Sequence, residues 1–379
     1  MKSHSLFSAL LILIASACVD RINFDIGVTE AFPIVVEGYI SDQPGPYKIQ
    51  ISKAYDIESK YSIKTPINVS RVIISDSQGD LEELSQVNDG EYQTRQDGIR
   101  GVVGGAYLLR VELRDGRIYE SIPDTLLASG KLDSLYFDFK EEKNLEGASE
   151  YSFDILFNSS SGDLNNFYFL WKFTGTFRAD THPELLKEER GGCQYYNGKC
   201  NWKPICSGLL NVAYPDYPPS YIQDKPCECC TCWYSIFNDR LTLSDNQLLQ
   251  LGRFNNIVIQ SVPLNGWIFM HKLHVKVSQQ SLTPQAFAFW KSIKDQKEAV
   301  NSLFQPVTGK IPTNFVQISG PSSPLLGFFY STSVSEKSIF ITRDDVPNTS
   351  IIPATPPWED SCLTLFPFGV TTKPDFWID

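Results

Sequence analysis

Basic charge is scarce in this sequence. Lys and Arg number 33 against 44 Asp and Glu, for a formal net charge of -11, and no Lys/Arg cluster interrupts the chain. That excludes nucleic-acid binding by phosphate neutralisation and a polybasic contact with a bilayer. Only 4 histidines are present, which leaves little material for imidazole chemistry. After the N-terminal segment, no apolar run approaches the ~18 uninterrupted residues of a spanning helix. The G-x-S-x-G elbow, the H-E-x-x-H pair and the P-loop are all missing.

What the chain does have is aromatic side chains. Phe, Tyr and Trp make up 13% of the residues, while Met occurs only 2 times. Aromatics favour pleated, half-buried surfaces, so the composition leans toward β structure. With 42% apolar and 20% charged residues, the chain can bury a sizeable core.

The N-terminus reads as a secretory signal over 1–17. Lys2 and His4 form a short polar region, Leu6 to Ala17 is apolar or small, and Ala15-Ser16-Ala17 runs into Cys18. A cysteine directly after small residues resembles a bacterial lipobox, in which Cys18 carries the lipid and becomes the mature N-terminus. Residues 18–30 then form the anchor and tether.

Eight cysteines remain: Cys193, Cys200, Cys206, Cys227, Cys229, Cys230, Cys232 and Cys362. Two readings compete. The density of Cys227-Glu-Cys-Cys-Thr-Cys232 suggests a thiolate metal site, yet structural zinc needs separated C-x2-4-C pairs, and Cys193, Cys200 and Cys206 do not supply the second. Export places the cysteines where disulfides persist, so pairing is expected and no metal or other cofactor is assigned. The connectivity stays open. If all eight pair, Cys362 must bond back to the cluster and tie the tail to it.

The predicted fold is mainly β. An immunoglobulin-like β-sandwich is expected over 31–125, where short alternating strands such as Tyr107–Leu113 are separated by turn signals. Residues 122–131 read as a linker. A larger β-rich domain is expected over 132–379, with a Cys-rich insertion at 181–237 held by disulfides rather than by a core. One helix is predicted from Thr283 at the N-cap and Pro284 at N1 to about Phe304. Its apolar stripe is read as Phe287, Trp290, Ile293, Lys297, Val300 and Phe304.

Catalytic candidates are few. His271 and His274 fall in a predicted strand, where i and i+3 point to opposite faces, so they do not converge on a metal. Asp154, Asp163, Glu188, Glu189, Asp344 and Asp345 offer a carboxylate pair in principle, but a solvated surface is the default reading. The glycines at 98, 101, 104 and 105 lead into a strand rather than a helix, which makes them turn residues and not a phosphate cradle. Tyr168, Trp171, Trp233, Trp267 and Phe329 are candidates for a sugar or peptide site, weighed against a core role.

Four stretches carry a resemblance: the lipobox with Ile34-Val-Val-Glu-Gly-Tyr-Ile-Ser-Asp-Gln-Pro-Gly-Pro-Tyr47, the Gly104–Ser121 segment, Leu326–Ser333, and Thr372–Trp377 with Cys362. Together they resemble the Bacteroidota lipoprotein family called domain of unknown function 4249. The family tends to carry a C-x2-C near its end, whereas here only Cys362 appears, with Glu359 before it. The resemblance implies an outer-membrane lipoprotein beside a TonB-dependent transporter barrel, attached to the membrane by its N-terminal lipid. It brings no catalytic residues, so the protein is expected not to be an enzyme. A surface hydrolase with an unrecognised acidic pair and an adhesive envelope module are the alternatives. The leaflet, cell surface or periplasmic, stays open.

Cells fed labelled palmitate should incorporate it into this protein, and Cys18→Ser should abolish the label. Labelling that survives this substitution would remove the anchor.

Overall fold

The computed structural model describes residues 33–53, 65–161, 167–183, 193–196, 199–202, 206–211, 221–223, 225–244, 249–250, 252–300 and 311–378. The readings of signal, Cys18 and tether lie outside the described residues. Among the described residues the fold is mainly β, with 50% in strands and 9% helical.

Alternation sets the first core. Tyr107, Leu109, Val111 and Leu113 point inward and are buried, while Arg110 turns outward and bonds Glu112 (2.8 Å) and Glu120 (2.9 Å). Two sheets face each other across such residues. One runs Leu325–Thr332, Ile34–Ser41, Lys48–Lys53, Glu91–Gln93, Ser85–Asn88; the other runs Phe315–Ser319, Ile118–Ser121, Ala106–Glu112, Arg71–Asp76, Leu81–Glu83. Both feed one apolar cluster, with Val36, Ile49 and Phe329 from the first sheet and Val72, Leu109 and Tyr119 from the second. That is a sandwich.

The sandwich is not contiguous in sequence, which corrects the division at 132. Leu325–Thr332 pairs in parallel with Ile34–Ser41 over eight positions, from Ile34↔Leu325 to Ser41↔Thr332, and Phe315–Ser319 pairs with Ile118–Ser121. Gly327 makes the parallel contact feasible. Its φ is +102°, and a Cβ there would lie 1.9 Å from the Val36 carbonyl oxygen.

A second pair of sheets builds the second core. One is Lys131–Lys143, Ser149–Ser160, Arg253–Pro263, Leu249–Gln250; the other is Thr231–Phe237, Phe169–Asp180, Lys272–Ser281, Val334–Thr342. Phe153, Phe157, Trp171, Phe173, Phe254 and Phe269 fill the space between them. Tilted and edge-to-face rings, such as Trp171 against Phe254 at 5.1 Å, dominate this core. Trp171 and Phe329 are thus core residues, and the Trp171 indole N–H donates to Gln279 (2.8 Å).

The Cys-rich segment is less irregular than expected. Cys193–Tyr196 pairs with Lys199–Trp202, and Leu209–Asn211 with Tyr221–Gln223. Thr231–Phe237 is a full strand on Phe169–Asp180, so the insertion ends before 231 rather than at 237. The described disulfides are Cys206–Cys229, Cys227–Cys230 and Cys232–Cys362, the last spanning 130 residues and returning the tail to the lobe. Closing so long a loop removes much chain entropy from the unfolded state. Cys193 and Cys200 sit on facing strands of one hairpin.

The helix runs Pro284–Val300, and Thr283 caps it by accepting from the Ala286 N–H (3.3 Å). Its most buried positions are Ala286 and Phe289, while Phe287, Trp290 and Ile293 are half-buried and Lys297 is exposed. The apolar face is therefore rotated from the predicted stripe, because the helix sits in the angle between the two sandwiches and is covered from two sides. Phe289, Phe328 and Leu170 share one cluster there, drawn from the helix and from both sandwiches.

The segment 122–131 is no linker. Asp124–Thr125 pairs with Ala106–Tyr107, and Asp124, Leu126 and Ser129 are buried. Asp124 accepts from Thr283 Oγ1 (2.6 Å) and from the Ser331 N–H (2.8 Å). Ser333 reaches Asp42, 291 residues away, and also Ser129, while its own N–H donates to Ser281 Oγ (2.9 Å). A layer of hydrogen-bonded polar groups thus seals the two sandwiches together, although the Ser331 hydroxyl is buried without a partner among the described residues. Burial pushes the Asp124 carboxyl above its usual range, and the two hydrogen bonds offset part of that.

Asp124→Ala leaves the Ser331 N–H and the Thr283 hydroxyl without their acceptor in a dry place. The expected cost is roughly 2–4 kcal/mol, read as a lower urea midpoint. A change under about 0.5 kcal/mol would show that this carboxylate does not couple the sandwiches.

Candidate functional site: an aromatic cleft at the sandwich junction

Where the helix leaves the junction, a cleft of about 310 Å³ opens between three walls. The outer face of the first sheet gives Tyr39, Phe328 and Tyr330. The helix gives Phe289, Trp290 and Ile293, and the second sandwich gives one residue, Lys172. Strand alternation explains each placement. Phe329 and Trp171 point into cores, so their neighbours Phe328, Tyr330 and Lys172 point out. Helix spacing puts Phe289 and Ile293, four apart, on one side with Trp290 beside them.

The rings pack on one another. Tyr39 stacks on Tyr330 at 5.4 Å, Phe289 on Phe328 at 4.9 Å, and Trp290 meets Tyr330 edge-on at 6.0 Å. Lys172 Nζ lies 5.1 Å from the Tyr39 ring centre and 6.0 Å from that of Trp290. Among the described residues no carboxylate pairs with it. Burial lowers its pKa from 10.5 to about 8, because the ammonium has lost water without gaining a counter-charge. The Trp290 indole N–H is also buried with no acceptor. Tyr330 donates to Gln280 (3.2 Å), and burial raises its pKa well above the usual phenol. Exposed Glu37, Lys48 and Gln50 border the cleft, and Lys48 is paired with Glu91 at 2.9 Å. The cleft therefore holds one ammonium without a counter-charge among the described residues, inside an apolar wall.

The other candidates lie elsewhere. His271 bonds Asp180 (2.6 Å), which also accepts from Thr231 (2.7 Å) and Arg178 (2.9 Å). Burial alone would raise the Asp180 carboxyl, but these three hydrogen bonds hold it below its usual range. His274 instead stacks on Phe376 at 4.2 Å, so the two histidines diverge. Burial, with Lys276 nearby, lowers the His274 pKa. Asp154 accepts from Ser261 (2.6 Å), and Asp345 accepts from Thr342; Asp163, Glu188 and Glu189 lie outside the described residues. Tyr168 packs on Phe287 at 4.8 Å, Trp267 on Phe366, and Trp233 on Trp377, and none of them lines the cleft. The glycine-rich loop instead wraps the buried Glu82, whose oxygens accept from Arg95 N (2.7 Å) and Ile99 N (2.6 Å).

Lys172, Tyr39 and Tyr330 escape a reading of sequence alone, since each sits in a strand whose strongest signal is its buried neighbour. The one available signal was a lysine alone in the apolar run Tyr168–Phe173.

Among the described residues no helix is long and apolar enough to cross a membrane. No curated protein matches the chain. A family model described as a domain of unknown function, DUF4249, matches residues 19–338, which takes in both sandwiches and the whole cleft, and the chain belongs to that family.

Proposed function

We propose that the protein is a lipoprotein anchored in the outer membrane through Cys18, serving as a binding or accessory subunit beside a TonB-dependent transporter. The N-terminal pattern supports the anchor. The binding role rests on one observation: Lys172, with no carboxylate partner among the described residues, sits among aromatic rings that already pack on one another. Affinity gains from such preorganisation, because little side-chain freedom remains to be lost. The hydrolase alternative rests on a carboxylate pair, and of the described acidic candidates Asp154 and Asp345 are engaged by local hydrogen bonds.

A stability cost marks a residue kept for function. The folded pKa of Lys172 is about 8 and its ordinary value is 10.5. The unfolded chain therefore binds more protons between these values, and stability rises with pH across that window. Below about pH 8 the full penalty is present. Lys172→Met should stabilise the protein at pH 7 by on the order of 2 kcal/mol, discounted for partial exposure, and the gain should shrink toward pH 10.5. Thermal melts at several pH values read this, and a destabilised variant would make the lysine a structural element.

Tagged protein drawn from membranes in mild detergent should bring a β-barrel partner with it. Recovery alone, with the lipid intact, would overturn the accessory role.

A further inference from the structure

We propose that the cleft binds a small organic carboxylate bearing an aromatic ring, with the carboxylate on Lys172 and the ring against Tyr39, Tyr330 and Trp290. This rests on the binding role given above.

The sign of the ligand follows from the donors. Lys172 has no carboxylate partner among the described residues and lies over the rings of Tyr39 and Trp290. Lys48, the other lysine of the cleft, is already neutralised by Glu91. An incoming carboxylate supplies what is missing, an anionic oxygen for the ammonium. The bond to Lys172 forms in a partly dry place, where a charge-assisted contact is stronger than in water.

A cationic guest is excluded by occupancy. Aromatic cages recognise cations through the faces of their rings, but here the protein's own ammonium already lies over the faces of Tyr39 and Trp290. A second cation would meet repulsion instead of a cage.

The walls choose the rest of the molecule. Five aromatic rings and Ile293 line the cleft, while Glu37 and Gln50 stand at its exposed border. A sugar acid needs hydroxyl partners on several sides, and the interior does not provide them. A flat apolar ring needs only stacking surface. The volume of about 310 Å³ is at the small end of ligand sites, suited to one ring and a short acid chain.

The test is calorimetric titration of the full mature chain with 3-phenylpropionate, its neutral amide, 3-cyclohexylpropionate and glucuronate. The aromatic acid should bind, with the amide weaker by roughly tenfold to a hundredfold and with glucuronate weaker still. Lys172→Met should lose the preference for acid over amide while its melting temperature shows it folded. Equal binding of acid and amide would overturn the carboxylate assignment and leave the binding role standing. Tighter binding of glucuronate, or of the cyclohexyl acid, would overturn the ring assignment. Failure of all four probes would overturn the inference, and with it the role of the cleft as a binding site for small ligands.

Discussion

The structure depends on a polar seam that two sandwiches share. Residues 325–342 run as one extended rod, the first half parallel to Ile34–Ser41 and the second antiparallel to Lys272–Ser281. At the crossing, Ser333 bonds Asp42, Ser129 and Ser281, and Asp124 accepts from Thr283 and Ser331. An apolar seam of the same area would permit sliding. Matched hydrogen bonds fix one register, because any shift leaves buried donors without acceptors. The orientation of the two sandwiches follows, and so does the cleft, whose walls come from both sandwiches and from the helix.

The seam also explains which parts of the fold were legible in sequence. Strands with strict alternation, such as Tyr107–Leu113, announce themselves because one face is wet and the other dry. Thr283-Pro284 marks the helix start, and Cys362 was expected to return to the cysteine cluster, where it meets Cys232. The segment 122–131 misled because Pro and Gly resemble punctuation, yet its polar atoms bond Ser331 of the first sandwich and Gln279 and Ser281 of the second. Nothing local to Phe315–Thr332 reveals that its partners lie near the start of the chain. Strand pairing over nearly 300 residues is a property of closure, not of pattern.

The same reasoning applies to the cleft. Tyr39 and Lys172 lie in different sandwiches, and each faces away from the core that its own strand serves. A lysine on a strand reads as solvated until another layer is laid over it. Here the helix and the first sheet make that layer, and so an ordinary outward position becomes a dry one. The cysteine lobe contrasts with this. Cys206–Cys229 and Cys227–Cys230 staple a lobe too poor in apolar residues to build its own core, while Cys232–Cys362 lies buried in the second core.

The late arrival of residues 315–332 has a consequence for synthesis. The strand Ile34–Ser41 emerges from the ribosome nearly 300 residues before one of its two neighbours. Through most of translation that flank presents bare N–H and C=O groups beside apolar side chains, the condition in which strands add to the wrong partner. The first sandwich is therefore complete only once residues 315–332 have been made.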